Sequence, residues 1–220
     1  MKRYRTMNVM GLLVALVTTG AWADKARPDT KAPAAEVGFV TVFNGKDLTG
    51  WTGATKGYEV RPDGILACRK GSGGTLLTQE AYDDFAIRFE FRLPPGGNNG
   101  LAIRTPAGGH PARDGLEIQI LDNTAAKYAK LKPTQYHGSI YHLVPARRGH
   151  LRPVGQWNEQ EVVARGSKIT VTLNGHTILD ADLSKIKKGH KGKDRRDGHV
   201  GFAGHKDPVE FRHIRIKRLK

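Results

Sequence analysis

Sulfur chemistry has little to work with in this chain: 220 residues hold one cysteine, Cys68. No internal disulfide can form, so a core must suffice without covalent staples. The stretch "GILACRK" around Cys68 is a short strand pattern, in which a small buried hydrophobe is favoured over a reactive thiol. Long apolar runs are also scarce. The run from Val9 to about Val17 falls well short of the roughly 20 residues that span a bilayer, so no membrane span is expected. No amphipathic pattern longer than a turn or two occurs, and no strand pattern alternates with a helix-length segment. That argues against a parallel sheet. There is no internal repeat, and no H-x-x-H or similar close pair. Metal ligands would have to converge from separate strands. Acidic residues are in the minority, 21 against 36 basic, for a formal net charge of +15.

The N-terminus reads as a targeting segment. Lys2, Arg3 and Arg5 precede the apolar run, and the small-residue triplet Ala21-Trp22-Ala23 follows it. This is the order of a secretory signal peptide, residues 1–23, and implies a periplasmic or secreted protein. Cleavage there removes three basic residues and no acidic one, which lowers the charge from +15 to +12. Residues 24–36, rich in Pro, Ala and charge, read as a disordered leader. Residues 37–220 are a normal length for one domain. A basic surface favours polyanions in general, but the positives are scattered except in "SKIKKGHKGKDRR", Ser184 to Arg196. That run has no interleaved aromatics and reads as a solvated loop. Nucleic acid is not an expected partner.

What the sequence has in abundance is turns and short strands. Asn44-Gly45, Asp63-Gly64, "GSGG" at 71–74, "PPGGNNG" at 94–100, Asn174-Gly175 and Asp197-Gly198 punctuate it. Between them lie "FVTVF", "FAIRFEFRL", "LAIR", "LEIQIL", "GSIY", "EQEVVAR", "KITVTLN", "HTILDA", "HVGFAG" and "VEFRHIRIKRL". In the second, Phe85, Ile87, Phe89, Phe91 and Leu93 fall on one face, and Arg88, Glu90 and Arg92 on the other. Ten or more short strands predict an all-β sandwich or jelly roll. Two longer loops, 105–114 and 122–136, are where such a scaffold builds sites; the second has room for one helical turn. "GLEIQILD", Gly115 to Asp122, places Leu116, Ile118 and Ile120 on one face and Glu117 and Gln119 on the other.

These motifs, in order, resemble one family. "FVTVFNGKDLTGW", "NNGLAIR", "GLEIQILD", "GSIY", "GQWN", "LNGH" and "HKDPVEFRHIRI" follow the pattern of the 3-keto-disaccharide hydrolase domain across residues 38–219. The resemblance implies a concanavalin A-like jelly-roll sandwich of two curved antiparallel sheets with a sugar groove on the concave one. It also implies a carbohydrate substrate. Glucanases of that fold carry Glu-x-Asp-x-x-Glu on a groove strand. Here the same spacing holds Glu117, Gln119 and Asp122, so the two-carboxylate mechanism of a retaining glycosidase is not retained intact.

A 3-keto sugar offers another route. The ketone acidifies the C2 hydrogen, a base removes it, and the C1 substituent leaves by elimination. That needs a base, an electrophile for the developing oxyanion and an acid for the leaving oxygen. Glu117 is the candidate base, and Gln119 the residue that orients it or binds a hydroxyl. His137 and His205, at strand ends where the resemblance puts the groove, are candidate acids. With Glu117 they are also the candidate ligands if a divalent metal serves as electrophile; no cofactor is otherwise implied. Arg104, Asn99, Tyr141 and Asp122 are candidate substrate-binding residues, with Arg104 expected to share the groove with Glu117. An Asx-turn is an equal reading of Asp122. Trp51 is assigned to the core; Tyr141 and Trp157 are candidates for stacking on a sugar ring, with core packing the favoured reading of Trp157. A non-catalytic carbohydrate-binding module is the alternative function, and the oligomeric state is left open.

Overall fold

The computed structural model describes residues 36–187 and 189–220. The targeting segment and nearly all of the leader read above lie outside them. Among the described residues thirteen strands follow one another. They are β1 (Val40–Thr41), β2 (Trp51–Gly53), β3 (Tyr58–Val60), β4 (Leu66–Cys68), β5 (Gly73–Tyr82), β6 (Phe85–Arg92) and β7 (Asn98–Thr105). Then come β8 (Leu116–Leu121), β9 (Trp157–Arg165), β10 (Lys168–Leu173), β11 (His176–Asp182), β12 (Gly198–His205) and β13 (Glu210–Arg218). One helical turn, α1 (Pro111–Asp114), stands in the first long loop, and two 3-10 turns, Ala126–Tyr128 and Pro133–Gln135, in the second. No helix among the described residues is long and apolar enough to cross a membrane.

All pairings are antiparallel, in two sheets. The larger runs β11-β10-β9-β6-β13-β4-β3, with β1 also on β13; the smaller runs β2-β5-β12-β7-β8. Alternation explains the sandwich. Phe85, Ile87, Phe89 and Phe91 of β6 meet Phe202 of β12, Leu101 and Ile103 of β7, and Leu116, Ile118 and Ile120 of β8 in one buried cluster. Phe202 stacks on Phe211 at 3.8 Å between ring centroids and meets Phe89 edge-on at 5.7 Å. Phe and Ile side chains of this size each stabilise the fold by about 1.5–3 kcal/mol when fully buried. The Asn174-Gly175 hairpin joins β10 to β11 with both residues at positive φ, as a two-residue turn of the I′ kind requires. Cys68 is buried, and burial pushes its thiol up to about 11, so it packs as a hydrophobe.

The outward face of the larger sheet is an ion-pair lattice. Arg88 bonds Glu161 and Glu36, Arg92 and Arg61 share Glu210, and Arg212 and His213 share Glu90. Trp157 fits neither the favoured core packing nor a place in the groove. It lies half-buried on this outward face between the guanidinium groups of Arg92 and Arg212, at 4.7 and 4.2 Å, where cation–π attraction holds it. Trp51 is in the core as expected, 4% exposed. β2, β3 and the ten-residue β5 are absent from the sequence reading. β5 starts inside "GSGG", where Gly73 and Gly74 have positive φ and Gly73 packs against the Gly204 backbone. Glycine marked a turn there, but what it permits is a close approach of two strands.

Candidate functional site

The smaller sheet has one face on the core and one open face. In β8, Glu117 and Gln119 occupy the open face, yet each is only 4% exposed. No second sheet covers them, so surrounding chain walls them into a groove. One wall is residues 138–141, which run beside β8. Tyr141 N donates to Glu117 O at 2.8 Å and Gln119 N donates to Ser139 O at 3.0 Å. With Ile118 bridging Ile140, this register puts Tyr141 next to Glu117. "GSIY" is therefore an edge of the site, though it is not the strand read from the sequence: it turns, and only Ile140 makes isolated bridges.

The carboxylate of Glu117 does not stay over its own strand. It leans across β7 until Oε1 lies 3.6 Å from His205 Nε2 on β12. It can do so because β7 carries Gly100 at the crossing. A Cβ on Gly100 would collide with Glu117 Oε1 and come within 2.6 Å of its Cγ. Ala102, directly opposite Glu117, is equally small. Residues from two strands that are not neighbours thus meet over the low strand between them. Glu117 favours the charged form of His205, raising the imidazole above its ordinary value, with burial opposing more weakly. His205 keeps an exposed edge, 43% of its side chain. On the same face Gln119 Nε2 donates to Asn98 Oδ1 at 2.9 Å, which fixes the amide beside Glu117. Tyr141 OH accepts from Gln135 Nε2 at 3.1 Å.

Four of the residues singled out in the sequence do not join this group. Arg104 is turned away from Glu117. Its backbone sits at φ 49, and its guanidinium donates to Gly166 O at 2.7 Å and to Asp84 Oδ1 at 3.3 Å, with no exposed surface. A left-handed residue at the end of β7 reverses the side chain's direction, which alternation cannot foresee. Asn99 points into the interior, fully buried, with Oδ1 accepting from Gly100 N at 2.9 Å. Asp122 lies just past β8 and braces the loop. Gly96 N donates to its Oδ2 at 2.8 Å, and Thr124 N and Oγ1 donate to its Oδ1 at 2.9 and 2.6 Å. Burial works to raise this carboxyl, but those bonds outweigh it and hold it below its ordinary value. The Asx-turn reading describes it.

His137 is the fourth. It lies between the sheets, 2% exposed, stacked on Phe91 at 5.2 Å, with Leu121 N donating to Nδ1 at 3.4 Å. Burial pushes its imidazole down to about 3, and the nearby Gln160 amide opposes this too weakly to matter. A group held neutral in the core cannot serve the groove as an acid. It makes the fold acid-sensitive instead. The unfolded imidazole has its ordinary value near 6.5, so the unfolded chain binds the extra proton between there and about 3. Stability from this group is complete above pH 6.5 and is lost as pH falls toward 3, by up to about 1.4 kcal/mol per pH unit. Urea midpoints at pH 7 and pH 5 should show the wild type losing more stability than His137→Gln. Equal losses would rule out this residue as the cause.

Among the described residues no three His, Cys, Asp or Glu side chains cluster so as to hold a metal ion. Glu117 and His205 converge, but His137, the third candidate ligand, is on the other side of the sheet. The three residues do not fit a shared metal site.

With this geometry established, comparison with known proteins is informative. Residues 38–217 match the model of the 3-keto-α-glucoside-1,2-lyase-like domain. The chain belongs to that family. It is thus a carbohydrate-active, glycoside hydrolase-like enzyme. As a member of the 3-keto-α-glucoside-1,2-lyase-like family, it is 24% identical to a 3-keto-disaccharide hydrolase of Bacteroides thetaiotaomicron, over 83% of this chain and 79% of that protein. A solved Parabacteroides distasonis structure assigned to the glycosyl hydrolases superposes with TM-score 0.73 at 24% identity, covering 82% of this chain and 99% of the other. The family-16 endo-β-1,3(4)-glucanase SCLam aligns with TM-score 0.52 at 14% identity over 86% of this chain and 95% of its own. These structural likenesses establish the fold as the concanavalin A-like jelly roll expected from the sequence. Two residues of this face were not singled out in the sequence, Asn98, which holds Gln119, and the glycine that Glu117 crosses. That glycine is Gly100, whose signal was present in "NNG" but was read as turn chemistry.

Proposed function

We propose that this chain is an exported enzyme that cleaves 3-keto glycosides by elimination followed by addition of water. The observation that carries this reading is the Glu117–His205 pair, 3.6 Å apart on one side of the groove. The hydrogen on C2 and the oxygen on C1 of a sugar are on adjacent atoms, so a base and an acid this close can serve both from the same face. Glu117 takes the C2 proton, and the electrons pass toward the C3 ketone as an enediolate. The C1–O bond then breaks, and the charged His205 gives its proton to the leaving oxygen. Water adds at C1, and a proton returns to C2. General acid–base groups of this kind contribute about 10²–10⁴-fold each. Gln119 and Tyr141 are assigned to sugar hydroxyls beside the reacting centre.

Two-carboxylate hydrolysis is disfavoured by the same geometry. A retaining glycosidase needs a second carboxyl about 5 Å away across the bond, and Asp122, the residue at the matching spacing, is committed to Gly96 and Thr124. Export rests on the charge and apolar pattern of residues 1–23. The test is incubation of the protein in deuterated water with a 3-keto disaccharide and with its unoxidised parent, followed by NMR. Monosaccharide should be released from the keto form alone, with deuterium at C2 of the keto product. Release without C2 deuterium would overturn the elimination. A carbohydrate-binding module would bind and release nothing.

A further inference from the structure

The groove does not end at Glu117. Across the smaller sheet, Glu117 faces Ala102, Ala102 faces Gly201, Gly201 faces Leu77, and Leu77 faces Thr52. The middle of this row is low. A Cβ on Gly201 would strike the Leu76 carbonyl and lie 2.8 Å from Leu77 Cα, so nothing larger than glycine fits. Three strand spacings separate β8 from β5, about 14 Å at the usual distance between paired strands. One sugar ring cannot bridge that distance. At the far end the floor meets a cavity of about 370 Å³, lined among others by Thr52, Thr75, Leu77, Gly108, His110 and Arg113. That volume is near the lower limit for small-molecule sites and suits one ring-sized ligand. Leu77, 3% exposed, closes the floor of the cavity, the threonines offer hydroxyls, and Arg113 offers N–H donors.

The charge at this end is one-sided. Asp114, at the end of α1, accepts from Arg113 at 2.9 Å and from Lys191 at 2.9 Å. One carboxylate between two cations leaves a positive charge over. The segment that brings Lys191 is docked on this wall. His190 Nε2 lies 2.9 Å from Ala112 O, and Gly192 packs on the Gly115 backbone so closely that a Cβ would collide with it. Residues 184–196 hold seven basic residues and one acidic. Meanwhile Glu36, Glu90, Glu161 and Glu210 are held by arginines on the opposite sheet. From this basic run Lys191 reaches the wall of the cavity, beside Arg113.

We propose that the cavity is a subsite for an anionic sugar: a ring carrying a carboxylate or sulfate, linked to the keto sugar that sits at Glu117. This rests on the reading of Glu117 given above. Arg113 and Lys191 receive the acidic group, and Leu77 and Thr75 receive the ring. The preferred substrates are then keto glycosides with an acidic leaving portion, and neutral disaccharides are served less well.

The test is titration of the full chain with glucose, glucuronic acid and glucose 6-sulfate, followed by NMR. The acidic sugars should bind about tenfold more tightly than glucose, equivalent to 1.4 kcal/mol. That preference should shrink at high salt, because exposed charges are screened, and it should disappear in Arg113→Ala. The Arg113 side chain is 73% exposed, so its loss leaves the fold intact, which a far-UV spectrum checks. Shifts should appear at Thr75 and Leu77. Equal affinity for glucose and the acids, an unchanged preference in Arg113→Ala, or shifts confined to residues 184–187 would each overturn the subsite. If only one of the two acidic sugars is preferred, the subsite stands and the group is identified. Wild-type turnover of a neutral 3-keto disaccharide reports separately on Glu117. Acid preference without any such turnover would count against the keto chemistry and not against the subsite.

Discussion

Glu117→Gln should cut turnover of a 3-keto disaccharide by about 10²–10⁴-fold, the usual cost of losing a general base. The amide keeps the shape of the carboxylate and still fits above Gly100. It cannot accept the C2 proton, and it no longer raises His205, whose charged form depends first on the Glu117 carboxylate. Both the base and the proton donor are weakened by one substitution. Binding should suffer much less, because Gln119 and Tyr141 remain. The diagnostic result is a fall in kcat with KM nearly unchanged, together with loss of C2 deuterium exchange. Full activity in this variant would eliminate Glu117 as the base.

Gly100→Ala should cost about 10²-fold in turnover with little loss of stability. Its φ is not in the left-handed region, so alanine strains no backbone there, and the three atoms nearest the added methyl, Oε1, Cδ and Cγ, all belong to one side chain. That side chain is Glu117, which must swing off His205. A displacement of about 1 Å in a catalytic group is enough for a hundredfold loss. Melting temperature close to wild type with kcat reduced would separate a misplaced base from a damaged fold. A variant that keeps full turnover would show that the Glu117–His205 approach over β7 is not used.

The parts of the site that were legible in the sequence are those set by strand period and local register. Leu116, Ile118 and Ile120 had to face one way and Glu117 and Gln119 the other, because side chains alternate on a pleated strand. The structure has that alternation, with all three apolar residues fully buried. Tyr141 beside Glu117 was only partly within reach of the same reasoning, since "GSIY" reads as a strand but turns. Arg104 was not, because a positive φ at the end of β7 turned it to Asp84. His137 was not, because a histidine after a loop has no period from which to read its side; its ring went to Phe91 between the sheets.

By itself, then, the amino-acid order determined that the chain is all-β, that one strand carries Glu117 and Gln119 on a single face, and that its motifs belong to a sugar-processing family. The first two are properties of neighbours along the chain, governed by turns, alternation and composition; the third is a resemblance carried by the order of its motifs. Only the tertiary structure decided which distant groups meet. Glu117 and His205 are 88 positions apart and sit on strands that do not touch; they meet because Gly100 on the strand between them has no side chain. Arg113 and Lys191 share Asp114 because a basic segment, read as a solvated loop and mostly one, folds back onto α1 at Lys191. Such meetings depend on strand order and on the space one residue leaves for another, and no local pattern encodes either.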